Sequence, residues 1–190
     1  MTRLCIHPEG RYQADAVPIG IRGEIARELQ RLGIRYEHHG VVSLIGRKAR
    51  GVLNDGGEAV LTAYAELIER QKLEHGYSVV DAVTVTSHTP DIRAVRGKFL
   101  SEHTHAEDEA RFMVDGAGTF YLRQGGQVLI LELTAGDLIS VPAGMRHWFD
   151  MGERPHFTAI RFFTRPDGWV GSFTGDPIAE RFPLYAGALA

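Results

Sequence analysis

Two periodicities divide the chain near Gly76. Upstream, Ile21, Ile25, Leu29 and Leu32 recur at three- and four-residue spacing and Gly33 follows as a stop, so the pattern predicts an amphipathic helix. From about Glu58 a second helical pattern, Leu61, Tyr64, Leu67 or Ile68 and Leu73, runs to Gly76. Residues 46–57 between them are glycine-rich and read as loop. Downstream the pattern turns strand-like. Val79-Val80-Asp81-Ala82-Val83-Thr84-Val85-Thr86 is rich in β-branched residues and partly alternates. Further strands are predicted over residues 110–114, 118–122, 127–133, 137–141 and 157–163. Asp115-Gly116, Gly125-Gly126, Ala135-Gly136 and Pro142-Ala143-Gly144 separate them as turns. Short strands with closely spaced turns predict a mainly β sandwich or barrel, jelly rolls included. The expectation is a single domain over residues 1–190. It has a helical N-terminal layer (1–76) packed outside a β-barrel (77–165), and an irregular tail (166–190).

Composition narrows the functional classes. Of 190 residues 44% are hydrophobic and 24% charged, ordinary for a globular chain, and the net charge of −3 argues against a nucleic-acid partner. The one basic cluster, Arg47-Lys48-Ala49-Arg50, sits beside glycines and reads as a solvated loop. Cys5 is the sole cysteine, which excludes an intramolecular disulfide. The opening residues carry no apolar run of the signal-peptide kind, and no stretch approaches a membrane span, so a cytoplasmic protein with no membrane partner is expected. No heptad run or long apolar helix demands an interface; the expected state is a monomer.

The chemistry concentrates between Gly97 and Asp150. His103 and His105 lie two residues apart, and on a strand such residues share a face. Glu109 follows four residues on with the same parity, as does Arg111. A further ligand must come from another strand, and His147, preceded by the rigid turn Pro142-Ala143-Gly144, is placed to supply it. Alone, each piece has a plain alternative: His-x-His pairs occur freely, and Glu107-Asp108-Glu109 could be a solvated turn. The six remaining histidines (His7, His38, His39, His75, His88 and His156) show no converging spacing. Three imidazoles and a carboxylate suit a borderline divalent metal, and four protein ligands leave an octahedral ion two open positions. A purely structural site would be closed, so the set favours an enzyme.

Gly97 to Gly116 reads G-x5-H-x-H-x3-E-x6-G and Gly136 to His147 reads G-x5-P-x-G-x2-H, which match the two cupin motifs in order. The one departure is Met151, where the second motif usually carries Asn. Finer resemblance lies in Lys98-Phe99-Leu100-Ser101-Glu102-His103-Thr104-His105, in Glu107-Asp108-Glu109-Ala110-Arg111-Phe112 and in His147-Trp148-Phe149-Asp150-Met151-Gly152. These runs, with Gly168-Trp169 and Phe173-Thr174-Gly175, closely resemble the acireductone dioxygenases, in which Met151 ceases to be anomalous. The resemblance is close from about Gly97 to Asp176 and looser over the N-terminal helices.

That resemblance implies a cupin jelly-roll β-barrel and a place in methionine salvage. It implies one Fe(2+) or Ni(2+) per chain, held by His103, His105, Glu109 and His147, with acireductone and O2 as substrates. In this family the iron form gives formate and the α-keto acid precursor of methionine. The nickel form gives formate, carbon monoxide and methylthiopropionate. Arg111 would enter the cavity as a permanent cation favouring the substrate dianion, the plain alternative being a surface arginine. Glu102 and Asp108 are candidates to hold the ligating imidazoles by their other nitrogens, or are solvated acids. Phe99 and Trp169 are candidates for the wall around the methylthio end, with core packing as the rival reading. Two rival functions stand beside this one. A decarboxylase or flavonol-type dioxygenase could use the same ligands, though Arg111 and the His-Trp-Phe-Asp-Met-Gly run argue against it. A non-catalytic binding cupin is disfavoured because all four ligands are kept.

Overall fold

The structure, a computed structural model, describes residues 1–42 and 57–186. The basic cluster at residues 47–50 and nearly all of the glycine-rich stretch lie outside the described residues. Strand β1 (Arg3–Pro8) leads to helix α1 (Arg22–Arg31) and strand β2 (Arg35–His38). Helix α1 buries Ile25 and Leu29, and the chain leaves it through Gly33 at φ 75°, a conformation open to glycine. Ile21 precedes the first turn and is 64% exposed, so it lies outside the buried stripe that its spacing suggested. The second expected helix is two, α2 (Glu58–Ala63) and α3 (Ala65–His75). They meet at Tyr64, whose ring packs edge-on against Phe112 and whose hydroxyl accepts from the Val42 N–H at 2.9 Å. Leu73, assigned by spacing to the buried face, is 84% exposed.

The remaining elements are β3 (Val79–Thr86), α4 (Ile92–Leu100), β4 (His103–Thr104), β5 (Glu109–Gln124), β6 (Gln127–Thr134), β7 (Asp137–Val141), β8 (Arg146–Asp150), β9 (His156–Phe163) and β10 (Ser172–Phe173). A 3-10 helix at Pro177–Arg181 follows. All strand pairs are antiparallel and fall into two sheets that share β5. The N-terminal half of β5 pairs with β7 and β9, which extend to β2 and β3. Its C-terminal half pairs with β6 and β8, which extend to β1, β4 and β10. The ladder among the described strands does not close on itself. The architecture is therefore mainly β with two sheets joined through one long strand, rather than the closed barrel expected.

The strand change within β5 corrects a second expectation. Asp115-Gly116 reads as a turn between two strands, yet β5 runs unbroken through it. The register shifts between Met113 and Asp115, and Gly116 takes φ 75° where a Cβ would lie 1.8 Å from the His156 carbonyl oxygen. A bulge with glycine at positive φ bends the strand from one sheet into the other, which a hairpin turn would not do.

Between the sheets, Met113, Phe120, Leu122, Leu129, Ile139, Phe149 and Ala159 form one buried cluster, and Ile25 and Leu29 of α1 join it. Helices α2 and α3 cover Phe112, Ile160 and Phe162 through Val60, Tyr64, Leu67 and Ile68. Among the described residues no helix is long and apolar enough to cross a membrane.

One buried carboxylate ties the N-terminal layer to the sheets. Asp137 is fully buried; Oδ1 accepts from Tyr36 Oη at 2.7 Å and faces His38 Nδ1 at 2.9 Å. Oδ2 accepts from Thr2 Oγ1 at 2.5 Å and the Thr134 N–H at 2.8 Å. Asp137→Ala strands these donors, and unfolding free energy is expected to fall by about 3 kcal/mol, with the melting midpoint down by roughly 6–12 °C. A loss under ~1 kcal/mol in urea titration would show that the network is not a structural tie.

Candidate metal centre

Strand β4 is only two residues long, and its pairing places the centre. His103 lies directly opposite His147 of β8, the rings 4.5 Å apart, so the two motifs meet across a single ladder step. His105 follows just past β4, its ring 5.2 Å from that of His103 and 5.3 Å from that of His147. The ligand atoms that the three histidines can offer lie within 4.8 Å of one another, and all three side chains are buried. The chain then bends over Ala106 and Glu107 and enters β5 at Glu109. Glu109 Oε2 comes 3.3 Å from His105 Nε2 and 3.2 Å from His147 Nε2.

The other nitrogen of each ring fixes its tautomer. Nδ1 of His103, His105 and His147 meets a backbone carbonyl, that of Ser101 (2.7 Å), Val170 (3.1 Å) and Met145 (2.8 Å) respectively. A carbonyl only accepts, so each Nδ1 carries the proton and each Nε2 turns its lone pair toward the common centre. Three ring lone pairs and a carboxylate then converge in a buried space, an arrangement that only protons or a cation can satisfy. Burial, reinforced by the neighbouring His147, pushes His103 down to about 4, so that ring is neutral at neutral pH. Burial opposes ionisation of Glu109, but Arg111 and the close approach of His105 and His147 outweigh it and hold the carboxyl well below its usual range. Burial likewise lowers His105, and its hydrogen bond with Glu109 more than reverses this. Three imidazole nitrogens beside an ionised carboxylate are the donor set a divalent transition metal takes, so the residues fit such an ion.

Arg111 enters the same cavity, donating from Nη2 to Glu109 Oε1. Its guanidinium lies over Phe120 (5.1 Å) and Phe149 (4.8 Å), and its buried Nε has no protein partner. The cavity measures about 390 Å³, and both Phe99 and Trp169 line it. Phe99 packs edge-on to Phe149, while Trp169 is 60% exposed at the rim.

Glu102 and Asp108 do not reach the imidazoles; backbone carbonyls hold all three. Glu102 is bound instead by Arg123 and Thr174. Asp108 Oδ1 accepts the Ala143 N–H at 2.9 Å, beside the bond from Gly144 N–H to the His105 carbonyl, so it pins the Pro142-Ala143-Gly144 turn to the His-x-His loop. Glu107 plays a similar part, accepting the backbone N–H groups of Thr164 and Arg165 at the turn leading to Trp169.

Several lining residues went unassigned from sequence, among them three aromatic ones, Phe120, Phe149 and Phe173. Phe149 sits two residues beyond His147 on its strand, so parity alone could have marked it. Phe120 faces Arg111 only because the bulge in β5 shifts parity, and Phe173 comes from the tail; neither had a readable signal.

The chain is similar to proteins already known. The ARD/ARD' family model matches residues 57–171. Acireductone dioxygenase of Prochlorococcus marinus (strain MIT 9303) is 46% identical over 191 residues, covering 96% of this chain and 98% of that protein. The Pseudomonas paraeruginosa enzyme of the same name is 45% identical over 184 residues, with 97% and 98% covered. Among solved structures, an acireductone dioxygenase from Bacillus anthracis with a cadmium ion in its active centre superposes with a TM-score of 0.75. It is 28% identical, with 91% of this chain and 98% of that one covered. With the family model spanning more than half of its length and near full-length relatives above 40% identity, this chain belongs to the acireductone dioxygenase family.

Proposed function

We propose that the protein is a metal-dependent dioxygenase that oxidises acireductone with O2, as one step of methionine salvage in the cytoplasm. The observation that carries the reading is the convergence of three Nε2 lone pairs, fixed by backbone carbonyls, with the Glu109 carboxylate. His103, His105, Glu109 and His147 would hold one Fe(2+) or Ni(2+), which supplies Lewis acidity toward an enediolate and a seat for two of its oxygens. The chain's own residues do the rest. Arg111, charged at any working pH, places its unpartnered Nε–H and guanidinium charge where substrate anion accumulates. Phe120 and Phe149 lie together under that guanidinium as an apolar floor, which strengthens its field. Phe99 and Trp169 offer apolar surface to the methylthio arm. His105 Nδ1–H donates to the Val170 carbonyl, tying ring orientation to the cavity wall. We further read the two sheets as the walls of a cupin jelly roll, and the working unit as a monomer without nucleic-acid partners.

Protein stripped of metal and reloaded separately with ferrous iron and nickel tests the assignment. The iron form is expected to give formate and the keto acid without carbon monoxide, and the nickel form carbon monoxide. Identical products from both would refute control by the metal. Failure of both to consume oxygen with acireductone would remove the assignment itself.

A further inference from the structure

Arg123 stands near the end of β5 with the parity of Tyr121, whose ring packs on the outer face with Trp148 and the tail residues Ile178 and Phe182. It does not line the metal cavity. Its guanidinium gathers three carboxylates from distant parts of the chain. Nη2 donates to Glu9, and Nη1 donates to Glu102 (2.9 and 3.2 Å) and to Asp176 (2.8 Å). The Glu102 side chain is fully buried and stands immediately before His103. Glu102 also accepts from Thr174 Oγ1 at 2.6 Å, and its carbonyl accepts the Thr174 N–H at 3.1 Å. Asp176 caps the following 3-10 helix through the Ile178 N–H at 3.0 Å.

These contacts close around the segment 171–176, which has little else to hold it. Strand β10 is two residues long and, among the described residues, pairs only with His103 and Thr104. Ser172 and Phe173 are exposed, with Phe173 at 61%, so burial supplies little of the ordering energy. Yet the segment forms the cavity wall. The Phe173 ring meets that of His103 edge-on at 6.0 Å, and Gly171 lies so close that a Cβ would sit 3.2 Å from His103 Cδ2.

We infer that Arg123 is a positioning residue that, through Glu102, Thr174 and Asp176, holds segment 171–176 in place as the wall of the substrate cavity. Only the substrate named in the kinetic arm below rests on the acireductone reading. Arg123→Gln removes the shared cation, and Thr174→Val removes one bond with almost no change of shape. In metal-loaded protein, amide hydrogen exchange across 171–176 is expected to accelerate at least tenfold in Arg123→Gln and less in Thr174→Val, while β6 and β8 keep wild-type rates. Metal content should stay at one ion per chain in both. KM for acireductone should rise about tenfold in Arg123→Gln with kcat within about threefold, the signature of a displaced wall. Wild-type exchange over 171–176, or acceleration spread equally over the core strands, overturns the positioning role, as does an unchanged KM beside a loosened segment. If Arg123→Gln does not fold, Thr174→Val decides by the same exchange measurement. Because exchange needs no substrate, inactivity of wild-type protein toward acireductone would count against the activity and not against the wall.

Discussion

His147→Ala is expected to emerge from purification without metal, where the wild type carries about one ion per chain and the variant under ~0.1. His147 is 1% exposed, stands directly across from His103 and donates from Nδ1–H to the Met145 carbonyl, so its Nε2 has no orientation to adopt except toward the centre. Removing it leaves two imidazoles and a carboxylate, and nothing else among the described residues is placed to substitute. Stability should follow occupancy. An ion present at a thousand times its dissociation constant adds about 4 kcal/mol to the native state, or roughly 8–16 °C for a chain of this size. The variant should therefore melt at one temperature with or without chelator, whereas the wild type should fall on chelation. Comparison with chelated wild type separates lost metal from the void that the missing ring leaves in the core. Full occupancy of His147→Ala by elemental analysis would place the site elsewhere.

The convergence of His103, His105, Glu109 and His147 was legible because strand parity and a marked turn bring them together. A spacing of two puts His103 and His105 on one side of an extended chain, and Pro142-Ala143-Gly144 marks the turn that delivers His147. What holds those rings was not legible, because the acceptors are main-chain carbonyls of Ser101, Met145 and Val170, which any residue supplies. Carboxylates at 102 and 108 drew the assignment because side-chain chemistry is what a sequence displays. Both proved to fasten loops around the site instead.

The same limit applied to the fold. Apolar and β-branched runs bounded by turn residues declared themselves, as at Val79–Thr86 and Asp137–Val141. Asp115-Gly116 did not, since one dipeptide serves a hairpin turn or a sheet-changing bulge and only the partner strands decide which. Helix α4 has no fully buried residue, so no apolar stripe announced it. Strand β10 is too short for periodicity, which is why a cavity wall was read as an irregular tail.

Arg111→Ala should separate binding of the metal from turnover. The four ligand atoms remain, so one ion per chain is expected to be retained. What disappears is the guanidinium that reaches a carboxylate of the ligand set from inside the cavity, held at Glu109 Oε1 and lying over Phe120 and Phe149. A fixed charge in such surroundings acts through a low effective dielectric and needs no reorganisation when substrate charge develops. Removing a preorganised group of this kind costs about 3–4 kcal/mol, so kcat/KM should drop by roughly 10²–10³-fold. Two effects must be told apart, since Arg111 also helps keep Glu109 ionised. Were loss of that help the cause, metal content would fall with activity and excess metal would restore both. Arg111→Lys keeps a cation but loses the planar fork that reaches Glu109 and substrate together, so partial recovery is expected from it. Arg111→Met, which fills the space over the two rings without charge, should be as inactive as Arg111→Ala. Activity within about threefold of wild type in the alanine variant, a loss under ~1 kcal/mol of transition-state stabilisation, would leave Arg111 no part in handling the substrate anion.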